Sequence, residues 1–296
     1  MKKLIFEGAA VAIVTPFNSD GSLNLEKYGE LIDYQIDNGT DCIVAVGTTG
    51  ENATLSGDEH RALMRYCVER VNGRVPVICS TGSNDTAYGC ETTKAAEEVG
   101  ADGLLLVTPY YNKTSQKGLI KHYEKLLSDV SIPAIVYNVP SRTGMNIAID
   151  TYKELAKNPQ IVGVKEASGN ISQVAKIIYE CGDDMPVYSG NDDQIVPLMS
   201  LGGKGVISVM SNILPFETHM ICKHCLNEDY KSARELANKY LDIANKLFLD
   251  VNPVPVKAAM NLMGFDVGGC RLPLGELSPY DEKVLKDALC SIGLIK

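Results

Sequence analysis

Short runs of apolar residues recur along the chain and alternate with longer amphipathic segments. The runs lack the polar alternation of a strand with one solvated face, so they indicate strands that are buried on both faces. We predict eight such strands, at residues 9–14, 42–46, 75–79, 103–107, 134–137, 161–164, 186–188 and 205–209. Helices that return over the sheet are predicted at residues 25–38, 58–71, 87–99, 116–127, 150–156 and 172–179.

The alternation of strands and helices indicates parallel βα units. Eight is the number of strands at which a parallel sheet closes with its interior filled by side chains, whereas an open doubly wound sheet usually stops near six. Helix boundaries agree with this prediction, since Ser56 and Glu59 have capping-box spacing and Asn158-Pro159 ends a helix before the sixth strand. The sequence therefore predicts an α/β fold, a (β/α)8 TIM barrel.

The remaining residues predict a helical C-terminal region. Amphipathic patterns indicate helices at residues 217–226, 229–249, 256–263 and 281–292. No low-complexity linker precedes these helices, and the proline-containing segments between them indicate local kinks. We therefore divide the chain into a catalytic barrel at residues 1–214 and a helical extension at residues 215–296 that packs on the barrel.

Composition and charge narrow the class of protein. The 296 residues are 45% apolar and 22% charged, as in an ordinary soluble globular protein. A formal net charge of −9 disfavours nucleic acid and anionic membrane surfaces as partners. The N-terminal residues are too polar for a secretory signal, and no apolar run reaches the roughly 18 residues of a membrane span. We therefore expect a cytoplasmic protein.

The cysteines favour a reducing compartment. Nine cysteines, an odd number, lie mostly in apolar periodic segments, as reduced and partly buried thiols do. Cys222 and Cys225, with His219 and His224 nearby, imitate a metal-binding cluster, but no second Cys/His pair accompanies them. We interpret these thiols as residues of a helix face and predict neither a metal nor a cofactor.

Lys165 is the first candidate for chemistry. In a TIM barrel, functional residues lie in the segments that follow the strands, and Lys165 directly follows the sixth apolar run. A buried ammonium is costly and tends to lose its proton, which makes the amine a nucleophile suited to Schiff-base chemistry. The alternative interpretation is a lysine that caps the strand by pairing with Glu51 or Glu166.

Two further segments are suited to binding carboxylates. Thr48 and Thr49, within the sequence Gly-Thr-Thr-Gly-Glu after the second run, place two hydroxyls beside backbone N–H groups. Arg142 lies in a loop between Pro140 and Gly144, where a guanidinium can hold a carboxylate with two hydrogen bonds. A plain tight turn and a solvated loop arginine are the respective alternatives.

Two phenols are predicted at the rim of the barrel, and a third ends a strand. Tyr110 and Tyr111 follow the fourth run, and Tyr137 ends the fifth. Aromatic residues at a barrel mouth also serve simply for packing. One lysine, phenols, a two-threonine turn and one arginine, without a metal set or a dinucleotide fingerprint, are together the groups of a lysine-dependent aldolase.

Small residues are predicted around the lysine. Gly163 and Gly190 lack side chains, and with Ile207 of a neighbouring strand they leave room for a small apolar pocket. Asp192 and Asp193 are expected to cap the following helix rather than bind a metal, because no other carboxylate cluster is evident.

Five motifs occur in order at the predicted strand ends, at residues 47–51, 108–112, 137–144, 164–167 and 205–208. Together they resemble the dihydrodipicolinate synthases, within the wider N-acetylneuraminate lyase family of pyruvate-dependent barrels, over nearly the whole chain. The resemblance implies a lyase that condenses pyruvate with L-aspartate 4-semialdehyde to 4-hydroxy-tetrahydrodipicolinate, in lysine and diaminopimelate biosynthesis. It also implies a homotetramer built as a dimer of dimers.

The resemblance gives catalytic roles to four residues. It implies that Lys165 forms the imine with pyruvate and that Tyr137 transfers protons. It also implies that Thr48 and Tyr111 relay these protons to solvent, with Tyr111 reaching into the site of a neighbouring subunit.

Four residues are expected to bind substrate. The resemblance implies that Thr49 holds the pyruvate carboxylate and that Ile207 contacts pyruvate through its backbone, and Gly190, as a small residue beside the lysine, is expected to border the same site. Arg142 would bind the carboxylate of L-aspartate 4-semialdehyde.

Two other functions stay open on the sequence. A lyase that cleaves sialic or sugar-derived keto acids shares the imine step, although the Pro-Ser-Arg-Thr-Gly loop at residues 140–144 is similar to that of the synthases. A non-catalytic barrel that senses a keto acid or holds partners has no dedicated feature beyond the C-terminal helices.

Feedback inhibition by lysine is expected to be weak or absent. In family members that lysine inhibits, the allosteric cleft is implied at the positions of Asn52, Ala53, Gly57, His60, Asn84, Tyr88 and Tyr110. Gly57 replaces a histidine there, and Tyr88 replaces the glutamate that would hold the ammonium group of the ligand. Loss of that charge-assisted partner removes about 1.5–3 kcal/mol.

Overall fold

The computed structural model describes residues 2–296, and its centre is a closed barrel of eight parallel strands. Each strand pairs with the next along the chain, and the first pairs with the last, so the predicted (β/α)8 TIM barrel is confirmed. The strands are β1 Gly8–Ala12, β2 Cys42–Ala45, β3 Val77–Ser80, β4 Gly103–Val107, β5 Ala134–Asn138, β6 Ile161–Glu166, β7 Val187–Ser189 and β8 Gly205–Ser208.

Helices surround this barrel and continue beyond it. They are α1 Leu25–Asp37, α2 Gly57–Val71, α3 Thr86–Glu98, α4 Gln116–Leu127, α5 Pro140–Thr143, α6 Ile149–Ala156, α7 Ile171–Cys181, α8 Ile195–Ser200, α9 Pro215–Leu226, α10 Tyr230–Lys246, α11 Val254–Leu262 and α12 Pro279–Ser291. The capping box predicted at Ser56 and Glu59 is confirmed, because each side chain accepts from the other residue's backbone N–H at the start of α2. The two short helices α5 and α8 escape sequence analysis because they hold too few residues to show a period.

Two apolar layers position the site. The inner layer fills the barrel, and at its N-terminal end Phe6 stacks on Tyr188 with ring centroids 4.6 Å apart. The outer layer lies between strands and helices. Because the inner layer closes the bottom of the barrel, the open end lies where the strands finish.

The C-terminal helices pack on this frame. Helix α9 packs against β1 and α8 and so completes the outer ring, whereas α10 packs on α8 and α9, and α11 and α12 contact each other. The division at residue 215 stays a prediction, and the contacts of α9 favour a boundary after Leu226 instead. The chain between α10 and α11 returns to the mouth of the barrel.

Candidate active site

Lys165 lies near the end of β6, with its side chain directed into the barrel. It is paired in register with Tyr137 of β5 and Tyr188 of β7, and only 6% of it is exposed. Since successive residues of a strand point to opposite faces, the next residue, Glu166, points outward. There its carboxylate accepts hydrogen bonds from Asn138 at 3.0 Å and from the Tyr152 hydroxyl at 2.8 Å.

The two carboxylates offered as partners for Lys165 are engaged elsewhere. Glu51 forms a buried ion pair with Lys257, with 2.9 Å between Oε1 and Nζ. Glu166 is bound by Asn138 and Tyr152. Within residues 2–296, no carboxylate lies within ion-pair distance of Lys165, so the interpretation of this lysine as a paired strand cap is wrong.

Burial makes Lys165 a usable nucleophile. Loss of hydration lowers its pKa to about 8, while the Asp192 carboxylate raises the pKa and the Arg142 guanidinium lowers it further. The ammonium lies 4.4 Å from the centroid of the Tyr137 ring. At pH 7 about a tenth of the molecules therefore carry the free amine that attacks a carbonyl, far more than for an exposed lysine.

Tyr137 supplies a buried phenol beside the amine. Burial raises its pKa to about 12, while Arg142 and the neighbouring Thr48 side chain lower it and Glu166 raises it. The phenol therefore stays protonated at neutral pH and can donate or pass on a proton without lasting ionisation.

The segment that holds Thr48 and Thr49 is a tight turn after β2. A side chain at Gly50 would place its Cβ 3.2 Å from the Ile13 carbonyl oxygen, a tight contact with backbone that favours glycine in this turn. Thr49 is buried, and its hydroxyl accepts a hydrogen bond from the Asn252 side-chain amide at 3.0 Å. Both threonines line the same cavity as Lys165.

Arg142 lies above this cavity in the short helix α5. Pro140 begins the helix, and Gly144, with φ of 65°, ends it. The guanidinium donates to the backbone oxygen of Asn252 at 3.1 Å, so the arginine, although exposed, is held at the mouth of the cavity.

Gly190 provides the space that the lysine occupies. A Cβ at this position would lie 2.6 Å from Ala167 Cβ and 3.1 Å from Lys165 Cε. Gly163 differs, because a Cβ there would lie 3.2 Å from the Tyr188 ring, which already fills the place of the missing side chain. The prediction that Gly163 helps to leave a pocket is therefore wrong.

Asp192 does not cap the following helix as predicted. It is buried, and its Oδ2 accepts from the backbone N–H groups of Val209 at 3.1 Å and Met210 at 2.8 Å, just after β8. Because β7 and β8 are neighbours, the carboxylate reaches across the barrel end instead of along its own helix. It also lies near enough to Lys165 to raise that residue's pKa.

The cavity formed by these residues has a volume of about 760 Å³. Its walls combine strand ends with the segment between α10 and α11, residues 248–252, which sequence analysis did not place at the site. A free amine, a phenol, hydroxyl donors and a guanidinium in one cleft are the groups needed to bind a keto acid and form an imine with it.

Comparison with known proteins agrees with this chemistry. The model of the Dihydrodipicolinate synthetase family matches residues 5–291. The 4-hydroxy-tetrahydrodipicolinate synthase of Caldicellulosiruptor bescii is 53% identical, with 98% of each chain covered. This chain belongs to the dihydrodipicolinate synthetase family. The family resemblance inferred from the five motifs is therefore confirmed.

Solved structures of the dihydrodipicolinate synthetase family superpose closely on the chain. The chloride-inhibited enzyme from Acinetobacter baumannii, complexed with pyruvate, is 43% identical with a TM-score of 0.96, covering 98% of this chain and 99% of that one. A structure described as the first monomeric dihydrodipicolinate synthase variant is 40% identical with a TM-score of 0.95, covering 98% of each chain.

Two residues with roles implied by the family lie outside the cavity of the single chain. Tyr111, with φ of 65°, is 92% exposed and does not line the cavity. Ile207 is fully buried inside the barrel, and its side chain is not part of the cavity wall. Their roles stay predictions.

The two cysteines whose spacing resembles that of a metal-binding cluster belong to the core. Cys222 and Cys225 are buried on α9, and burial raises the pKa of both thiols. Within residues 2–296, no group of three His, Cys, Asp or Glu side chains is arranged to hold a metal ion. None of the helices described combines the length and the apolar character that crossing a bilayer requires.

Proposed function

We propose that this chain condenses pyruvate with L-aspartate 4-semialdehyde, through an imine on Lys165, to give 4-hydroxy-tetrahydrodipicolinate. The observation that carries the proposal is a buried lysine that has no carboxylate partner among residues 2–296 and faces a cavity lined by Tyr137, Thr49 and Arg142. Membership of the dihydrodipicolinate synthetase family supports the same reaction.

The chemistry follows from the lysine amine. Lys165 Nζ attacks the ketone carbon of pyruvate, and loss of water leaves an imine whose nitrogen accepts electrons. A proton then leaves the pyruvate methyl group, and the enamine attacks the aldehyde carbon of the second substrate. The substrate amine finally attacks the imine carbon, which closes the ring and releases Lys165, so the sum consumes both substrates and releases one water.

The remaining groups bind the substrates and move protons. Tyr137 passes protons to and from the reacting atoms, and Thr48 connects it with Tyr111 of a neighbouring subunit and with solvent. Thr49 and adjacent N–H groups hold the pyruvate carboxylate, beside Gly190 and the backbone of Ile207. The guanidinium of Arg142 holds the carboxylate of L-aspartate 4-semialdehyde.

The experiment is reductive trapping with pyruvate. Borohydride should fix a pyruvate adduct on the Lys165 peptide of the parent protein, detected by mass spectrometry. Lys165→Ala should lose both the adduct and turnover in a coupled assay with L-aspartate 4-semialdehyde, while Lys176→Ala, at an exposed position of α7, should keep both. An unmodified parent protein, or preference for a long polyhydroxylated aldehyde, would contradict the proposal.

Assembly is the second part of the proposal. We infer a homotetramer, a dimer of dimers, in which Tyr111 completes the relay of its neighbour. The almost fully exposed Tyr111 side chain supports this, because one chain alone gives the phenol no site. Sedimentation at several protein concentrations tests the assembly, and a monomer with full turnover would contradict the shared relay. We also propose a cytoplasmic location, consistent with the free cysteines.

Weak or absent inhibition by lysine is the third part. Tyr88 offers a neutral phenol, 39% exposed, where a carboxylate would bind an ammonium group. Gly57 offers no side chain to the same cleft. Turnover should therefore stay near its starting value as free lysine is added, and strong inhibition at low lysine concentration would contradict this part alone.

A further inference from the structure

Asn252 links the C-terminal region to the catalytic cavity. It lies directly before Pro253 and α11, is 5% exposed, and lines the cavity together with Lys165. Its side-chain Nδ2 donates to Thr49 Oγ1 at 3.0 Å, and its backbone oxygen accepts from Arg142 Nη2 at 3.1 Å. One residue thus contacts both of the side chains proposed to hold a substrate carboxylate.

The contact with Thr49 decides where the hydroxyl proton goes. A hydroxyl has one proton to donate and two lone pairs that accept. Because the Asn252 amide uses a lone pair of Oγ1, the hydroxyl proton is left for another acceptor, and none is found for it among residues 2–296. Because Thr49 lines the cavity, a carboxylate oxygen of the first substrate can serve as that acceptor.

The other end of the Asn252 amide argues against a purely structural role. Its Oδ1 is buried without a hydrogen-bond partner in the described part of the chain. A buried acceptor left unmatched destabilises the folded state, so an apolar residue of similar size would serve stability better. Such exceptions are expected where a polar group is retained for function.

We propose that Asn252 is a positioning residue for the reaction, because its amide fixes the Thr49 hydroxyl as a donor toward the carboxylate of the first substrate. This inference rests on the proposed function. Asn252 touches no reacting atom, and it acts on pyruvate through Thr49, at a distance of 203 residues along the chain.

The test is a double-mutant cycle with the pyruvate concentration at half-maximal trapping as its readout. Asn252→Leu should raise that concentration about three- to tenfold, because the hydroxyl proton is no longer directed. In a Thr49→Val background, Asn252→Leu should change the pyruvate concentration at half-maximal trapping by less than twofold, since no hydroxyl remains to be directed. The turnover number at saturating pyruvate should change less than the KM for pyruvate in the Asn252 variant.

Asn252→Asp provides a second variant of nearly identical shape. Its carboxylate accepts a hydrogen bond from the Thr49 hydroxyl and repels the substrate carboxylate. The KM for pyruvate should therefore rise about 10- to 100-fold. Equal effects of Asn252→Leu in both backgrounds, or a KM that Asn252→Asp leaves unchanged, would overturn the inference. An absence of any adduct in the parent protein would instead contradict the proposed function, so the two failures are distinguishable.

Discussion

Two buried lysines near the Gly-Thr-Thr-Gly-Glu turn resemble each other in burial and in an aromatic neighbour, but they differ in their hydrogen-bond partners. Lys165 is the second-last residue of β6 and points into the barrel, and Lys257 belongs to α11 of the C-terminal region. Their ammonium groups each lie 4.4 Å from the centroid of an aromatic ring, that of Tyr137 for Lys165 and that of Phe17 for Lys257. Only 6% and 1% of the two residues are exposed.

Lys165 and Lys257 differ in their hydrogen-bond partners. Lys257 Nζ contacts Glu51 at 2.9 Å, the Thr15 carbonyl oxygen at 3.0 Å and the Gly269 carbonyl oxygen at 2.5 Å, so each of its three N–H bonds has an acceptor. Lys165 has no such set within residues 2–296. Burial lowers the pKa of Lys165 because no such set of acceptors stabilises its charged form, so burial and an aromatic neighbour alone do not make a lysine nucleophilic.

The satisfied lysine serves the site indirectly. Its partner Glu51 ends the Gly-Thr-Thr-Gly-Glu turn and has a left-handed backbone, with φ of 58°. The backbone N–H of Arg271 donates to the second oxygen of Glu51 at 2.9 Å, and the Arg271 guanidinium binds Glu59 at 2.6 Å. The C-terminal region thus fixes the turn that presents Thr48 and Thr49.

The comparison predicts opposite effects of one substitution at the two positions. Lys257→Met should lower the free energy of unfolding by about 3–5 kcal/mol, because Glu51 would stay buried without a counter-charge. Lys165→Met should leave the free energy of unfolding unchanged or raise it by up to about 3 kcal/mol at pH 7. The substitution removes a buried ammonium group whose pKa has fallen from 10.5 to about 8. Equilibrium denaturation in urea measures both.

The gain from Lys165→Met has a defined pH window. The folded pKa is depressed, so between about pH 8 and 10.5 the unfolded parent binds more protons than the folded parent, and the stability of the parent rises with pH. The advantage of the methionine variant should therefore be complete below pH 8 and vanish by about pH 10.5. Equal losses of stability at both positions would contradict the contrast.

Sequence alone identified one of these lysines by its position. Lys165 follows an apolar run that becomes a barrel strand, and Thr48, Thr49, Tyr137 and Arg142 were found by the same rule, which needs only the strand ends. Lys257 escaped notice because its pattern is that of an ordinary helix, and its partner lies 206 residues away.

Two further residues show where pattern analysis stops. An aspartate between a strand and a helix usually caps that helix, and only the closure of the barrel shows that Asp192 instead binds the N–H groups after β8. Asn252 lies before a helix without any local signal, because its role depends on contacts with Thr49 and Arg142, which are distant along the chain. Such contacts follow from tertiary packing and not from local periodicity.

The two aromatic rings allow a second test. Tyr137→Phe gives Lys165 the same kind of aromatic neighbour as Lys257 has in Phe17. The substitution removes only the hydroxyl group of Tyr137 and keeps the ring. Turnover should fall about 10²- to 10⁴-fold, the usual contribution of a positioned proton donor and acceptor. The pyruvate adduct should still form on Lys165, because the amine and the ring face remain.

Phe17→Leu is the matched control for that substitution. It changes the ring beside Lys257 and should lower stability by about 1–3 kcal/mol without comparable loss of turnover. Steady-state kinetics and mass spectrometry of trapped protein measure both variants. Full turnover of Tyr137→Phe would show that the phenol beside Lys165 is as passive as the ring beside Lys257.

The smallest expected effect concerns the one carboxylate that acts on Lys165 from a distance. The rate of imine formation with pyruvate should rise with pH and level off, with a midpoint near the Lys165 pKa of about 8, because only the free amine attacks the ketone. The Asp192 carboxylate raises that pKa, so Asp192→Asn should move the midpoint to lower pH. The asparagine oxygen can still accept from Val209 and Met210, which keeps the barrel end in place.

Asp193→Asn, at an exposed neighbouring position, should leave the midpoint where it is. Cyanoborohydride trapping between pH 6 and about 9 measures the shift, and a midpoint that both substitutions move equally would mean that net charge, rather than the position of Asp192 beside the lysine, sets its protonation.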